Sequence, residues 1–184
     1  ICGEEPIFRL LPFRKMKVGI VTTGNEVLSG RINDQFTPVV GKKLEEAGME
    51  VMGNVLSGDD SERVTEAIRQ WLDKGAEMVV CTGGMSVDPD DRTPLAIRNA
   101  ADTVITYGAP VLPGAMFMLA YAGEVPVVGL PGCVMYARRT IFDLVLPRIA
   151  AGERLTAEDF TLLGEGGLCL NCDVCTFPNC GFGK

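Results

Sequence analysis

The residues best equipped for chemistry lie together in Thr82-Gly83-Gly84-Met85-Ser86-Val87-Asp88-Pro89-Asp90-Asp91-Arg92-Thr93-Pro94, where the apolar run Met78 to Cys81 empties into glycines and then into three acids. Two adjacent glycines let a backbone approach a bulky anionic group and present its N–H groups to it. The carboxylates of Asp88 and Asp91 suit the divalent cation that usually accompanies a phosphate, and without such a cation they would repel one. The same residues also spell an acidic, proline-capped turn ahead of a helix beginning near Thr93-Pro94. Two more glycine turns follow strand-like runs, Thr22-Thr23-Gly24-Asn25-Glu26 and Leu130-Pro131-Gly132-Cys133. The first reads either as a ligand turn or as a plain strand ending in which Asn25 takes a left-handed conformation.

Thiols are the second chemical resource. Seven cysteines stand at positions 2, 81, 133, 169, 172, 175 and 180, an odd number that fits a disulfide framework poorly and favours a reducing, cytoplasmic setting. Cys169, Cys172 and Cys175 form C-x2-C-x2-C, and Cys180 follows after Thr176-Phe177-Pro178-Asn179. Four such residues can converge on one metal centre. The run is close to the bacterial ferredoxin ligand string, although its last gap is one residue longer and the fourth ligand of that string serves another cluster. Zinc usually takes two separated C-x2-C pairs, so an iron–sulfur cluster ranks first and Zn2+ second, with a metal-free tail left open. Cys81, ending an apolar strand, reads as a small core residue. Cys133, at the start of a helix, reads either as a thiol of lowered pKa able to touch a metal or as an inert half-buried one.

Other classes are excluded by what the chain lacks. No histidine is present, which removes Ser-His triads, histidine general acid–base catalysis and histidine metal sites. A net charge of −7 without a Lys/Arg patch disfavours nucleic acid, whose binding rests on clustered cations, and favours a small ligand. No apolar run approaches the roughly 20 residues needed to cross a bilayer, so no membrane association is expected. Neither G-x-G-x-x-G nor a Walker-type Gly-Lys-Ser/Thr occurs. The chain opens on Ile1 with no signal-peptide pattern, and residues 1–14 read as a linker from an upstream domain.

The elements that must position these residues repeat a βα unit. Lys17 to Gly24 is a strand buried on both faces, Thr37-Pro38 an N-cap and first-turn pair for a helix to about Ala47, and Glu50 to Leu56 the next strand. From Asp60 a helix carries Val64, Ala67, Ile68, Trp71 and Leu72 on one stripe and stops at Gly75. Met78 to Thr82 is a third strand, followed by a helix over about 93–101. Thr103 to Tyr107, Met116 to Ala122 and Val125 to Leu130 are further strands, the last two close enough to pair antiparallel. A final helix is expected to follow Pro131-Gly132, with Val134, Ala137, Ile141, Leu144 and Val145 on one face, and to end or kink at Pro147. Met116 to Leu119 reads as core, with packing of a planar ligand as the alternative. The outcome is a three-layer α/β/α sandwich over 15–152 with a mostly parallel, partly mixed sheet, followed by a connector and Cys-rich tail over 153–184. Ligands of such folds collect at the carboxyl ends of the strands.

Together the three glycine turns, with Asp88 and Asp91, resemble the molybdopterin-binding domain of molybdenum cofactor biosynthesis proteins of the MoeA/MogA type. Arg31-Ile32-Asn33-Asp34 and Pro113-Gly114-Ala115-Met116 resemble further elements of that family, and the resemblance covers roughly 16–149. It implies binding of molybdopterin or its adenylylated form, with adenylyl transfer in one branch and molybdate insertion in the other. By matching motif, Asp34, Asp88 and Asp91 would serve Mg2+ or molybdate-linked chemistry. Thr23, Gly24, Asn25, Glu26, Gly83, Gly84, Met85 and Ser86 would hold the pterin and its phosphate, and Pro113, Gly114, Pro131, Gly132 and Cys133 would form further ligand walls. Adenylylating relatives typically read Thr-Gly-Gly-Thr-Gly where this chain has Met85-Ser86, and the Leu-Pro-Gly turn is closer to the MoeA-like branch, which points to molybdate insertion with AMP release. A non-catalytic carrier or redox sensor is the alternative. The resemblance further implies a homo-oligomer and a molybdoenzyme recipient, and leaves molybdenum and tungsten equally open. The cysteine tail lies outside it.

Overall fold

A computed structural model describes residues 8–184; Cys2 and the first half of the expected linker lie outside the described residues. Six strands form one sheet in the order β2-β1-β3-β6-β5-β4: β1 (Lys17–Thr23), β2 (Glu50–Ser57), β3 (Met78–Thr82), β4 (Thr103–Tyr107), β5 (Met118–Ala122) and β6 (Val125–Leu130). The first four in that order are parallel, and β6, β5 and β4 are joined antiparallel. The sheet is therefore mostly parallel and partly mixed, as the sequence indicates.

Strand periodicity sorts the core into two halves. Val18, Ile20, Met78, Val80, Leu119, Val128 and Leu130 face α2 (Phe36–Glu46), α5 (Ile141–Ala150) and α6 (Ala157–Leu162). Val21, Val79, Cys81, Met118, Ala120 and Val127 face α3 (Ser61–Asp73) and α4 (Thr93–Ala100). Three layers result. Trp71 on α3 lies flat over Gly19, where a Cβ would overlap the indole, and its ring N–H donates to the Ile20 carbonyl at 2.9 Å.

Several local expectations are corrected. Asn25 is not left-handed: Gly24 takes the positive φ of 142, and Asn25–Leu28 forms a one-turn helix, α1. Helix α2 begins at Phe36, not Thr37, because the Asp34 carboxylate accepts the N–H groups of Phe36 and Thr37 and does the capping. Beyond Pro131, Gly132–Met135 forms only a 3-10 turn, and α5 starts afresh at Ile141 behind a Thr140–Asp143 capping box. Pro147 does not end α5, which runs on to Ala150, with the Ala151 N–H accepted by the Pro147 carbonyl. The connector after Gly152 is docked: Phe160 of α6 is buried and stacks on Phe117 at 5.6 Å, and Arg148 binds Glu153 and Asp159, each at 2.7 Å. Burial pushes the Asp159 carboxyl up, but the Thr156 N–H and hydroxyl and the Arg148 guanidinium outweigh it and hold its pKa below the ordinary value. One and a half turns of helix are too short for periodicity to show in the sequence.

Candidate functional site

Parallel pairing brings the carboxyl ends of β1, β2, β3 and β6 to one edge, and the turns after them open there. Because β5 runs antiparallel, with Met118 opposite Gly129, the segment entering β5 reaches the same edge. Strand β1 lies between β2 and β3, so the chain leaves β1 in one direction for β2 and returns on the other side for β3. That reversal makes the carboxyl ends of β1 and β3 the topological switch point, where open α/β sheets hold their ligands in a crevice outside the strand ends.

The floor of the crevice is hydroxyl-rich. Thr22, Thr23, Ser57, Thr82 and Thr93 are buried. The Thr23 hydroxyl reaches the Thr82 carbonyl at 3.2 Å and the Thr93 hydroxyl at 3.1 Å. Thr82 donates to Thr22 at 3.2 Å. The β3 turn can sit this close only because it is glycine. Gly83 has φ 82, and a Cβ there would overlap the Thr23 carbonyl oxygen; Gly84 has φ 54, and a Cβ would meet the Thr93 hydroxyl at 2.8 Å. Met85 turns inward, 2 % exposed, and fills the space above Gly129 beside Ile97, which leaves only its backbone to the turn. The Ser86 N–H is held by Asp91 Oδ2 at 2.5 Å and Asp91 N–H by the Asp88 carbonyl at 3.0 Å, so Asp91 closes the loop while Asp88 and Asp90 stand in solvent.

Asp34 sits in a network of its own. Besides the two capping N–H groups, its carboxylate accepts from Asn54 Nδ2 at 2.9 Å, from the Thr37 hydroxyl and, at 3.5 Å, from the Thr22 hydroxyl. Asn54 also donates to Thr37 at 2.7 Å. Sequence reasoning does not mark Thr37, Asn54 or Thr93 as site residues; the available signal is Asn54, a lone amide inside the apolar strand Val51 to Val55. Asn25 exchanges hydrogen bonds with Asp59 on the turn after β2, its N–H reaching Asp59 Oδ2 at 3.1 Å, which ties the β1 and β2 turns together, and Glu26 is exposed beside it.

The other sequence-predicted site residues lie on two further segments. Pro113 accepts the Ile141 N–H at 3.1 Å, and Gly114, at φ 121, packs so tightly on Ile141 that a Cβ would meet it at 2.5 Å. Pro131 and Gly132 lead into the 3-10 turn, and nothing lies within 4 Å of the Gly132 Cβ position. Cys133 is half-buried. Burial pushes its thiol up from the ordinary value, so the lowered pKa expected at a helix start is not found: the turn is four residues long, and its N–H groups offset burial only in part. Burial likewise pushes the Cys81 thiol up, as befits a core residue.

Among the described residues, no three Cys, Asp or Glu side chains are gathered as a single metal ion would require. Magnesium, however, is typically held by one or two carboxylates plus substrate phosphates and water. Exposed Asp88 and the second oxygen of Asp91 fit that manner of binding, whereas both Asp34 oxygens are already engaged. The tail cysteines are brought together differently. Cys169, Cys172, Cys175 and Cys180 all line one cavity of about 250 Å3, shared with Arg138 and Arg139. The Phe177 N–H, then Arg139, pull the Cys175 thiol below its ordinary value.

A family model described as "Probable molybdopterin binding domain" matches residues 19–151. Among curated proteins, CinA-like proteins of Mycobacterium avium and Mycobacterium tuberculosis are 35 % and 34 % identical over 77 residues, 42 % of this chain, and the matched part spans 18 % of their length. The solved structure of the molybdopterin biosynthesis enzyme MoaB from Thermus thermophilus superposes with a TM-score of 0.65 at 24 % identity, covering 75 % of this chain and 98 % of that one. MoaB from Pyrococcus furiosus, described as tungsten cofactor synthesizing, gives 0.61 at 20 % identity over 77 % of this chain and 99 % of that one. The molybdopterin biosynthesis MoeA protein from Pyrococcus horikoshii gives 0.59 at 26 % identity, covering 76 % of this chain and 35 % of that one. No helix of the described residues is long and apolar enough to cross a membrane. With the family model spanning the sheet and every turn of the crevice, this chain belongs to the molybdopterin-binding domain family of the cofactor biosynthesis proteins.

Proposed function

We propose that this chain binds molybdopterin or its adenylylated form across the crevice between the β1 and β3 turns, and acts in the cytoplasm in molybdenum or tungsten cofactor maturation as a MoeA-like molybdate insertase. The observation that carries this reading is the Gly83-Gly84 turn seated against Thr23 and Thr93 where only glycine fits, the kind of backbone that can approach an anionic group closely. Such a turn holds phosphate. Gly24, Asn25 and Glu26 flank it on one side, and Pro113, Gly114, Pro131, Gly132 and Cys133 form the opposite wall for the pterin. What supports the MoeA-like branch is the Leu130-Pro131-Gly132 turn and the Met85-Ser86 pair; the similar structures include MoaB proteins as well as a MoeA protein and do not choose between the branches.

In this reading water cleaves the phosphoanhydride that joins AMP to the pterin's phosphate, so that AMP leaves there, and at the other end of the ligand the two dithiolene thiols take up molybdate, whose displaced oxygens leave as water. The chain's own contribution is positioning and electrostatics, which suits a protein with no histidine. Bound Mg2+ would neutralise phosphate charge, held by Asp88 and Asp91. Asp34 acts by capping α2 and fixing Thr22 and Asn54 at the crevice floor. The reading also expects a homo-oligomer and a molybdoenzyme recipient; light scattering on the purified protein tests the first.

One observation favours a second reading. Asp34 is fully hydrogen-bonded and the acids are not gathered, which is what a carrier that binds finished cofactor without chemistry would show. Titration with molybdopterin and with adenylylated molybdopterin, with and without Mg2+ and molybdate, separates the two. AMP release that depends on molybdate establishes the insertase, tight binding without AMP release establishes the carrier, and no binding of either ligand refutes both.

A further inference from the structure

We propose that Cys169, Cys172, Cys175 and Cys180 together ligate one [4Fe–4S] cluster in the cavity they share with Arg138 and Arg139. The four cysteines lie outside the matched residues 19–151, and the proposal does not depend on the pterin reading.

The first support is shape. All four cysteines line one cavity of about 250 Å3, room for roughly eight waters at ~30 Å3 each. A single zinc ion needs four sulfurs each about 2.3 Å from one centre. A cubane spreads its four thiolates over its corners and fills a space of this kind. Nor are the thiols consumed elsewhere, since all four are free despite bordering one cavity.

The second support is the wall. Leu168, Leu170, Phe177 and Phe182 line the same cavity, and the charged side chains lining it are the two arginines, with no carboxylate among them. A cluster with four thiolate ligands carries net negative charge, and hydrogen bonds and solvent exclusion set its potential. In a chain of net charge −7, two guanidinium groups turned toward one cluster of cysteines are a specific arrangement. Arg138 Nη1 donates to the Asp173 carbonyl at 3.0 Å and lies 3.4 Å from that of Cys172, while Arg139 stacks over the Phe177 ring at 4.7 Å. Arg139 is fixed in turn by buried Asp143 at 2.9 Å, which also binds Lys43 at 2.6 Å.

The third support is anchoring at both ends of the ligand run. Upstream, the Leu112 N–H donates to the Gly167 carbonyl at 2.6 Å and the Cys169 N–H to the Leu112 carbonyl at 2.8 Å. Downstream, Phe182 is buried and the Gly183 N–H donates to the Gly166 carbonyl at 2.6 Å. Between them Asn171 takes a left-handed turn at φ 49, which asparagine tolerates, and reverses the chain between the first two cysteines. A loop pinned in this way presents its ligands with little left to order when a cluster enters.

The test uses the full 184-residue chain, purified without oxygen and reconstituted with ferrous iron and sulfide. Iron and acid-labile sulfide are assayed, and electron paramagnetic resonance is recorded after dithionite reduction. The expected result is iron and sulfide in the stoichiometry of one cubane per chain, with a spin-½ signal on reduction. Cys172→Ser and Cys175→Ser, at exposed positions where folding is not at stake, should lose most of that iron, and Cys133→Ser should keep it; circular dichroism confirms the fold of each. A chain that takes up zinc but no iron, a two-iron spectrum, absence of both metals, or iron retained undiminished by both tail variants overturns the proposal. Pterin titration of the same samples reads the other site separately.

Discussion

Gly83→Ala should destabilise this protein strongly while Gly132→Ala, in the opposite wall of the same crevice, should not. At Gly83 an alanine must hold φ 82, a left-handed conformation costing about 1–2 kcal/mol for a residue with a Cβ. That Cβ would also overlap the Thr23 carbonyl oxygen and lie 2.7 Å from the Thr23 hydroxyl, so the end of β1 must shift. Thr23 cannot yield freely, because it is paired with Ser57 and its hydroxyl is bonded to Thr82 and Thr93. Overpacking of this kind costs about 1–3 kcal/mol, so the sum is roughly 2–5 kcal/mol. For a domain of this size each kcal/mol lowers Tm by about 2–4 °C, giving a loss of roughly 4–20 °C. At Gly132 nothing lies within 4 Å of the added methyl, and the change should stay within about 0.5 kcal/mol. Thermal unfolding followed by circular dichroism and by fluorescence of Trp71, the single tryptophan, measures both. A Gly83→Ala protein melting within ~2 °C of the parent would refute the close approach of the β1 and β3 turns, on which the crevice depends.

Asp91→Asn, which can still accept the Ser86 N–H, should leave Tm within ~2 °C of the parent but weaken the Mg2+ dependence of AMP release; unchanged Mg2+ dependence would remove Asp91 from that role. Asp143→Ala strips the cap of α5 and leaves Lys43 and Arg139 facing each other without their carboxylate, at a cost of roughly 3–5 kcal/mol by urea unfolding; a loss under ~1 kcal/mol would contradict the burial of that ion pair. Asp159 has a pKa held below its ordinary value near 3.8, so its contribution is present above that pH and is lost as pH falls through the lower folded value. The stability difference between parent and Asp159→Asn should therefore be largest near neutrality and shrink on acidification below pH 3.8, and a difference that grows on acidification would reverse the sign of the argument.

The order of elements was legible because strands buried on both faces leave continuous apolar runs, and because Asp60, Gly75 and Thr93-Pro94 punctuate their helices at the ends. What stayed hidden was set by contacts distant in sequence. Nothing local announces that Asp34 rather than Thr37 caps α2, since the choice depends on Asn54, twenty residues on, holding the other carboxylate oxygen. Pro147 sits inside α5 because the missing N–H falls within a helix otherwise fixed by the core residues Ile141, Phe142, Val145 and Ile149. The inward turn of Met85 was equally invisible, because the space it fills exists only where β6 presents Gly129 rather than a side chain. Nothing local marks Arg138 and Arg139 as lining a cysteine cavity, because the tail residues they meet lie more than thirty residues downstream.

The acidity of the chain need not oppose an anionic ligand, because much of it is engaged within the fold. Asp34, Asp60, Asp91, Asp143 and Asp159 each accept backbone N–H groups at a helix start or across a turn, so their negative charge meets the positive ends of peptide dipoles rather than solvent. Two of them are neutralised further by Lys43, Arg139 and Arg148. Around the Gly83-Gly84 turn this leaves Asp88 and Asp90 as the solvent-facing carboxylates of the loop, and under the proposed function these are the charges a divalent cation would cover beside a bound phosphate. The two arginines of the tail cavity bear on the same balance: Arg138 has no carboxylate opposite it in that cavity, and Arg139 shares the single carboxylate of Asp143 with Lys43, which leaves one positive charge in excess beside the four cysteines.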